Sequence, residues 1–255
     1  MTGAERHRDR SALRLVCISD THGEHERVAL PPGDVLVHAG DVTAHGSELD
    51  WLRFLDWFGS RDFAHRLFVA GNHDRFPEAR PERARRLALE AGVTWLDDEG
   101  CRVEGVVFWG SPITPRFHDW SFMRDPGPDI ERHWAMIPEG TDVLVTHGPP
   151  AGILDEVERA DGSRERTGCP SLLERIATVR PALHLFGHIH EGYGRLDRGG
   201  VSHVNVSTMD SGYRIANAPV ALELSGIGHR TVVHHGRATD EGDRPEASPM
   251  RGESR

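Results

Sequence analysis

The stretch PALHLFGHIHEGYG, Pro181 to Gly194, decides how the chain is read. Its apolar start has the character of a buried strand, which Gly187 breaks before His188 and His190 follow one residue apart. Polar rings set directly after an apolar strand are expensive to bury without a partner. Four other places repeat this grammar: SDTHG (19–23), AGDVT (39–43), AGNHD (70–74) and THGPP (146–150) each close an apolar run. Loops at the carboxyl ends of strands are where α/β sheets place their chemistry.

Working outward, LRLVCIS (13–19), DVLVHAG (34–40), HRLFVAG (65–71), GVVFWG (105–110), DVLVTHG (142–148) and LHLFGH (183–188) read as strands. Their near-continuous apolar character predicts burial on both faces. SELDWLRFLDWFGS (47–60) predicts a helix capped by Ser47, with Leu49, Leu52, Leu55, Trp57 and Phe58 as its apolar face. PERARRLALEAG (81–92) and CPSLLERIATVRP (169–181) predict two more helices, and GVSHVNVST (200–208) and APVALELSG (218–226) closing strands. The alternation specifies an α/β protein. One domain is expected over 12–235, between tails 1–11 and 236–255 whose charge or Gly/Pro/Ser content predicts disorder.

Composition removes several function classes. Every basic residue is arginine, so a P-loop lysine and a Schiff-base lysine are both impossible. The net charge of −10 and the lack of a basic run argue against stable nucleic-acid binding. No apolar segment approaches the roughly 18 residues that span a bilayer. Cys17, Cys101 and Cys169 form neither a disulfide framework nor a Cys-x-x-Cys motif. With no apolar signal core at the N-terminus, a cytoplasmic setting without membrane association is expected.

The polar clusters supply Asp20, His22, Asp41, Asn72, His147, His188 and His190. In extended chain, residues i and i+2 project to the same side, which pairs Asp20 with His22 and His188 with His190. Nitrogen and oxygen donors without thiolate suit Mn, Fe, Zn, Co or Ni. Seven side chains exceed the needs of one tetrahedral zinc and fit two ions about 3.5–4 Å apart with one shared carboxylate.

In order, these blocks (D-x-H, G-D, G-N-H-[DE], x-H, G-H-x-H) resemble the calcineurin-like metallophosphoesterases. The strings ISDTHGE, VLVHAGD, VAGNHD, IPEGTDVLVTHGPP and HIHEGYG are similar to the metallophosphoesterase-domain (MPPED) subgroup, related to class III cyclic nucleotide phosphodiesterases. The resemblance implies a four-layer α/β/β/α sandwich of two mixed β-sheets flanked by helices. It implies two divalent cations, manganese first, with Asp20, His22, Asp41 and His190 holding one and Asp41, Asn72, His147 and His188 the other. Mammalian MPPED members carry glycine where this chain has His188, so nothing in this donor set suggests a disabled enzyme. The implied activity is hydrolysis of a small phosphodiester, a (cyclic) nucleotide first, by a hydroxide held between the cations.

His73 stands where it can protonate the leaving oxygen, with Asp74 expected to orient its ring and raise its pKa. The simpler alternative makes His73, like Asn72, a contact to the substrate phosphate. Loop 110–127 offers Arg116 for a phosphate and Phe117, Trp120 and Phe122 for stacking, unless these rings pack beneath it. Loop 159–170 is a second candidate rim. Alternative readings are a phosphomonoesterase or phosphatase on the same centre, or a nucleotide-binding regulatory protein with little turnover. A homodimer is compatible with all of these.

Overall fold

The computed structural model describes residues 12–159, 161–226 and 232–235. In chain order the strands are β1 (Ala12–Ile18), β2 (Val35–Ala39), β3 (His65–Val69), β4 (Thr94–Trp95), β5 (Glu99–Val103), β6 (Val106–Ser111), β7 (Thr114–Pro115) and β8 (Met123–Arg124). They continue with β9 (Val143–Thr146), β10 (Glu156–Glu158), β11 (Arg164–Arg166), β12 (Leu183–Phe186), β13 (Gly194–Arg198), β14 (Val201–Asn205), β15 (Val220–Ser225) and β16 (Val232–His235). The helices are α1 (Glu48–Gly59), α2 (Arg75–Ala79), α3 (Pro81–Glu90), α4 (Pro128–Ala135) and α5 (Pro170–Val179).

Two six-stranded mixed sheets dominate, ordered β16-β15-β1-β2-β3-β4 and β13-β14-β12-β9-β6-β5. In the first, β1 to β4 run parallel, β15 pairs antiparallel with β1, and β16 pairs antiparallel with β15. In the second, β14, β12, β9 and β6 run parallel between antiparallel edges β13 and β5. Alternate residues of a strand face opposite ways, and this sorts the apolar side chains into layers. Leu13, Leu15, Cys17, Val35, Val37, Phe108, Val143, Val145 and Leu185 form one buried cluster between the sheets. Val16, Ile18, Leu36 and Phe68 face outward against α1 and α3; Leu144 and Val201 belong to the same outer cluster as Ile130 and Trp134 of α4 and Leu172 and Ile176 of α5. The expected α/β/β/α sandwich is the architecture observed.

α1 begins as predicted: Ser47 Oγ accepts from Asp50 N at 3.1 Å and the Asp50 carboxylate accepts from Ser47 N, closing a capping box. Its buried face differs from the expectation. Leu49 and Leu52 are exposed, while Trp51, Phe54, Leu55 and Phe58 are buried. The spacing i, i+3, i+4, i+7 from Trp51 selects one stripe, which the aromatic residues fill.

The predicted strands also end earlier than expected. β1, β2, β3, β9 and β12 stop at Ile18, Ala39, Val69, Thr146 and Phe186, one or two residues short of the predicted ends and before any of the seven donor residues. The cause is backbone conformation: Asp20, His22, Asp41 and His188 have φ of +53°, +42°, +54° and +67°, outside the β region. The clusters are therefore turns, and alternation along an extended strand does not place their side chains. The tails expected at 1–11 and 236–255 lie outside the described residues.

Candidate metal centre

The parallel strands of both sheets deliver their carboxyl ends to one edge, where the sheets are stitched together. Ser19 and Ser207 form a parallel bridge between the ends of β1 and β14. The turn amides link neighbouring strand ends: Asp20 N donates to Gly40 O (2.9 Å), His22 N to Asp41 O (3.0 Å) and Gly187 N to His147 O (2.9 Å). Two strand ends close with glycine because nothing larger fits. A Cβ on Gly71 would run into Asp41 Oδ1 and His147, and one on Gly187 into Asp20 Oδ2 and Ser19 Oγ.

Three groups of donor atoms result: Asp20, His22 and His190; His22, Asp41 and His73; and Asp41, His147 and His188. Within them His22 Nε2 stands 3.4 Å from His190 Nε2 and 3.8 Å from Asp41 Oδ2. His190 Nε2 is 3.6 Å from Asp20 Oδ1, and His147 Nε2 is 3.4 Å from Asp41 Oδ1. Asn72 Oδ1 joins through His147 Nε2 at 2.9 Å. All seven predicted donors thus converge, with Asp41 facing both sides. His188 and His190 fall into separate groups, and His188 has the positive φ of a turn.

The donor set fits a pair of cations. His147 Nδ1 donates to Ala39 O (3.0 Å) and His190 Nδ1 to Asp210 O (2.9 Å). In the neutral ring this leaves each Nε2 a lone pair aimed into the cluster, the arrangement metal-binding histidines use. The charges of these side chains follow the same lines. Burial pushes the Asp20 and Asp41 carboxyls up, but the facing histidines hold both below the usual carboxylate range, chiefly His190 for Asp20 and His147 for Asp41. Burial opposes charge on His147 and His190 too, yet the two carboxylates raise each to about 9. Burial alone dominates His188, pushed down to about 3. Two anions and two protonated rings balance locally, and divalent cations would take the place of those protons.

Around the donors lies a cleft of about 720 Å³. Trp120 packs edge-on against His73 with ring centres 4.4 Å apart, and Phe117, half exposed, reaches within 5.5 Å of His188. Phe122 is 3% exposed and belongs to the core, so it is not a stacking surface. Arg116 lines the cleft, but its Nε already donates to Asp125 Oδ1 at 2.7 Å. The second loop contributes as a hairpin: Arg159, Glu165 and Arg166, on or beside β10 and β11, form the far wall.

Asp74 corrects one expectation. Its buried carboxylate accepts from Val42 N (3.2 Å), Thr43 N (2.9 Å), Thr43 Oγ1 (2.6 Å) and Gly71 N (2.8 Å), and makes no bond to His73. The His73 ring is oriented by Ala44 O, which accepts from Nδ1 at 3.2 Å, while His73 N donates to Asp41 Oδ1 at 2.8 Å. Burial and the Asp41 charge push the Asp74 carboxyl up to about 7 against these donors. Asp74 therefore ties the loops after β2 and β3 together.

Three residues here escaped the sequence reading. Ser207 Oγ donates to Asp20 Oδ2 at 2.8 Å. Asn205 Nδ2 donates to Ile189 O at 2.7 Å and braces the turn carrying both histidines. Tyr213 places its ring 5.0 Å from His22 and 5.1 Å from His190. NVS (205–207) does carry a signal, since polar residues following an apolar strand repeat the grammar of the other clusters; Tyr213 sits in an irregular loop and carries none.

This fold and this donor set define a metal-dependent phosphoester hydrolase. Residues 13–192 match the calcineurin-like phosphoesterase family, and the chain belongs to it. It is 36% identical over 233 residues to metallophosphoesterase domain-containing protein 1 of Homo sapiens, covering 83% of this chain and 71% of that protein. It is also 36% identical over 224 residues to a UPF0046 protein of Caenorhabditis elegans, covering 83% and 75%. Among solved structures, a phosphopantetheinyl hydrolase from Mycobacterium tuberculosis superposes with a TM-score of 0.56 at 18% identity, over 80% of this chain and 92% of that one. A protein of Thermus thermophilus, TT1561, does so with 0.56 at 14%, over 88% and 99%. At such identities these two likenesses concern the fold alone. No helix among the described residues is long and apolar enough to cross a membrane.

Proposed function

We propose that this hydrolase cleaves a small phosphodiester, a nucleotide first, on a pair of manganese ions. Asp20, His22, Asp41 and His190 would hold one ion and Asp41, Asn72, His147 and His188 the other. The observation that carries this reading is Asp41, whose Oδ1 faces His147 and whose Oδ2 faces His22. Bound there, two divalent cations supply Lewis-acid polarisation of a phosphoryl group and a water acidic enough to react near neutral pH.

The chain's own residues supply the rest. Asn72, on the cleft wall, offers its amide to a phosphoryl oxygen. As an imidazolium, His73 would keep one N–H on Ala44 O and hold the other at Nε2, 3.9 Å from Asp41 Oδ2, to give to a departing alkoxide and be left neutral. The exposed ring of Phe117 beside His188 provides a face on which a base stacks. His188, kept within the second group, favours an enzyme over a nucleotide-binding regulatory protein. The three free cysteines support a cytoplasmic setting.

Release of p-nitrophenol from bis(p-nitrophenyl) phosphate with Mn²⁺, abolished by chelation, tests the diesterase reading. A panel of cyclic nucleotides, dinucleotides, nucleoside monophosphates and phosphopeptides then ranks substrates. Turnover confined to monoesters would overturn the reading in favour of a phosphatase.

A further inference from the structure

A second basin of about 400 Å³ lies beside the cleft, lined by His22, His45, His73, Arg75, Trp120 and Tyr213. The two basins share His73, Trp120 and Tyr213, so these three rings form the partition between them. A diester has two arms, and two basins meet at the residue proposed to protonate one of them.

The cations of the two basins differ. In the larger cleft each arginine is already matched: Arg116 by Asp125, Arg159 by Glu165, and Arg166 by Asp155 and Glu156. Arg75 is exposed, its guanidinium carbon stands 5.9 Å over the Trp120 ring, and among the described residues no carboxylate pairs with it. Held on an aromatic face, a guanidinium keeps its N–H fork free for an oxyanion. His45, also exposed, lines the same basin. In a protein of net charge −10, an unmatched arginine at the mouth of the site is a local reversal of sign.

We propose that this basin receives the second arm of an acyclic phosphodiester, and that this arm carries a negative charge of its own, read by Arg75 with His45. The inference rests on the phosphodiesterase reading and narrows it. A cyclic nucleotide joins both ester oxygens to one ribose and has no second arm to place there.

Two methyl aryl phosphodiesters test this, one with a 4-sulfomethyl group on its phenol and one with a 4-ethyl group. Sulfonate is a feeble ligand for divalent cations, so its effect reports the basin and not the metals. The wild-type protein is expected to prefer the sulfonate in kcat/KM by about tenfold, the scale of one partly exposed charge-assisted contact. In Arg75→Gln the ratio should fall to near one; the residue is exposed, so the fold should tolerate the change. A wild-type ratio near one, or a ratio that survives Arg75→Gln, overturns the proposal. Calorimetric binding of 4-(sulfomethyl)phenol to the same two proteins gives a readout without turnover, with weaker binding expected in Arg75→Gln and equal binding counting against the basin. Failure to hydrolyse either diester would instead strike the phosphodiesterase reading, while the calorimetry still judges the basin.

Discussion

The backbone amide of His188 donates to both carboxylate oxygens of Asp20, at 3.0 and 3.1 Å, across 168 residues of chain. Asp20 belongs to one donor group and His188 to the other, so this amide fixes the two groups relative to each other without using either side chain of His188 or His190. The Ser207 hydroxyl supports the same carboxylate from the end of β14, beside the facing ring of His190.

Ser207→Ala should therefore weaken metal binding without removing a ligand. Loss of a hydrogen bond to a coordinating group typically costs about 10–100-fold in affinity. Calorimetric titration with Mn²⁺ should show one of two sites weakened and the other nearly unchanged; two unaffected sites would remove Ser207 from the support of Asp20.

His73→Ala separates proton donation from phosphate contact. A general acid contributes about 10²- to 10⁴-fold where the leaving group needs a proton. Hydrolysis of an alkyl or nucleoside diester should fall by that amount and hydrolysis of a p-nitrophenyl diester by far less. Equal losses on both substrates would falsify the donor role.

Asp74→Ala should behave differently, because Asp74 holds loops together and does not orient His73. Removing its carboxylate strands the amides of Val42, Thr43 and Gly71. Unsatisfied buried donors cost about 1–3 kcal/mol each, so a loss of about 3 kcal/mol in urea unfolding is expected. Residual activity should fall by similar factors on alkyl and nitrophenyl diesters. Unchanged stability with a selective loss on the alkyl substrate would restore the orienting role.

Asp97 gives a pH signature remote from the donor groups. Burial, then Asp98 and Glu99, push its carboxyl up to about 6 against Arg85 and His133. A raised acid holds its proton more tightly folded than unfolded. That contribution is present below the unfolded value of about 4 and is lost as pH rises through 6, on the order of 2 kcal/mol. Asp97→Asn should remove this loss, so urea unfolding of the variant and the wild type should diverge between pH 4 and 6. Parallel profiles would refute it.

The sheets and the donor set were legible in the sequence because both depend on local contrast. A parallel strand buried on both faces is an apolar run, and a polar cluster that ends it stands out, as at Phe186–Gly187–His188. The helix α4 was less visible: the stretch before it, to Gly127, read as loop, and only Ile130 and Trp134 of its eight residues are buried. The wrong partner for Asp74 has a similar cause. Adjacency in sequence suggested His73, whereas the donors come from Val42 and Thr43, brought close only when β2 and β3 pair. Tyr213 and Arg75 took their places through tertiary contacts that no periodicity records.

His188, at φ +67°, occupies a backbone conformation that glycine adopts freely and a side chain adopts only under strain. Replacing it with glycine would relax the turn while deleting a donor, so durability and turnover pull this position in opposite directions. At this position the imidazole is the costlier choice for the backbone, and its return is a ring that glycine cannot offer to the site.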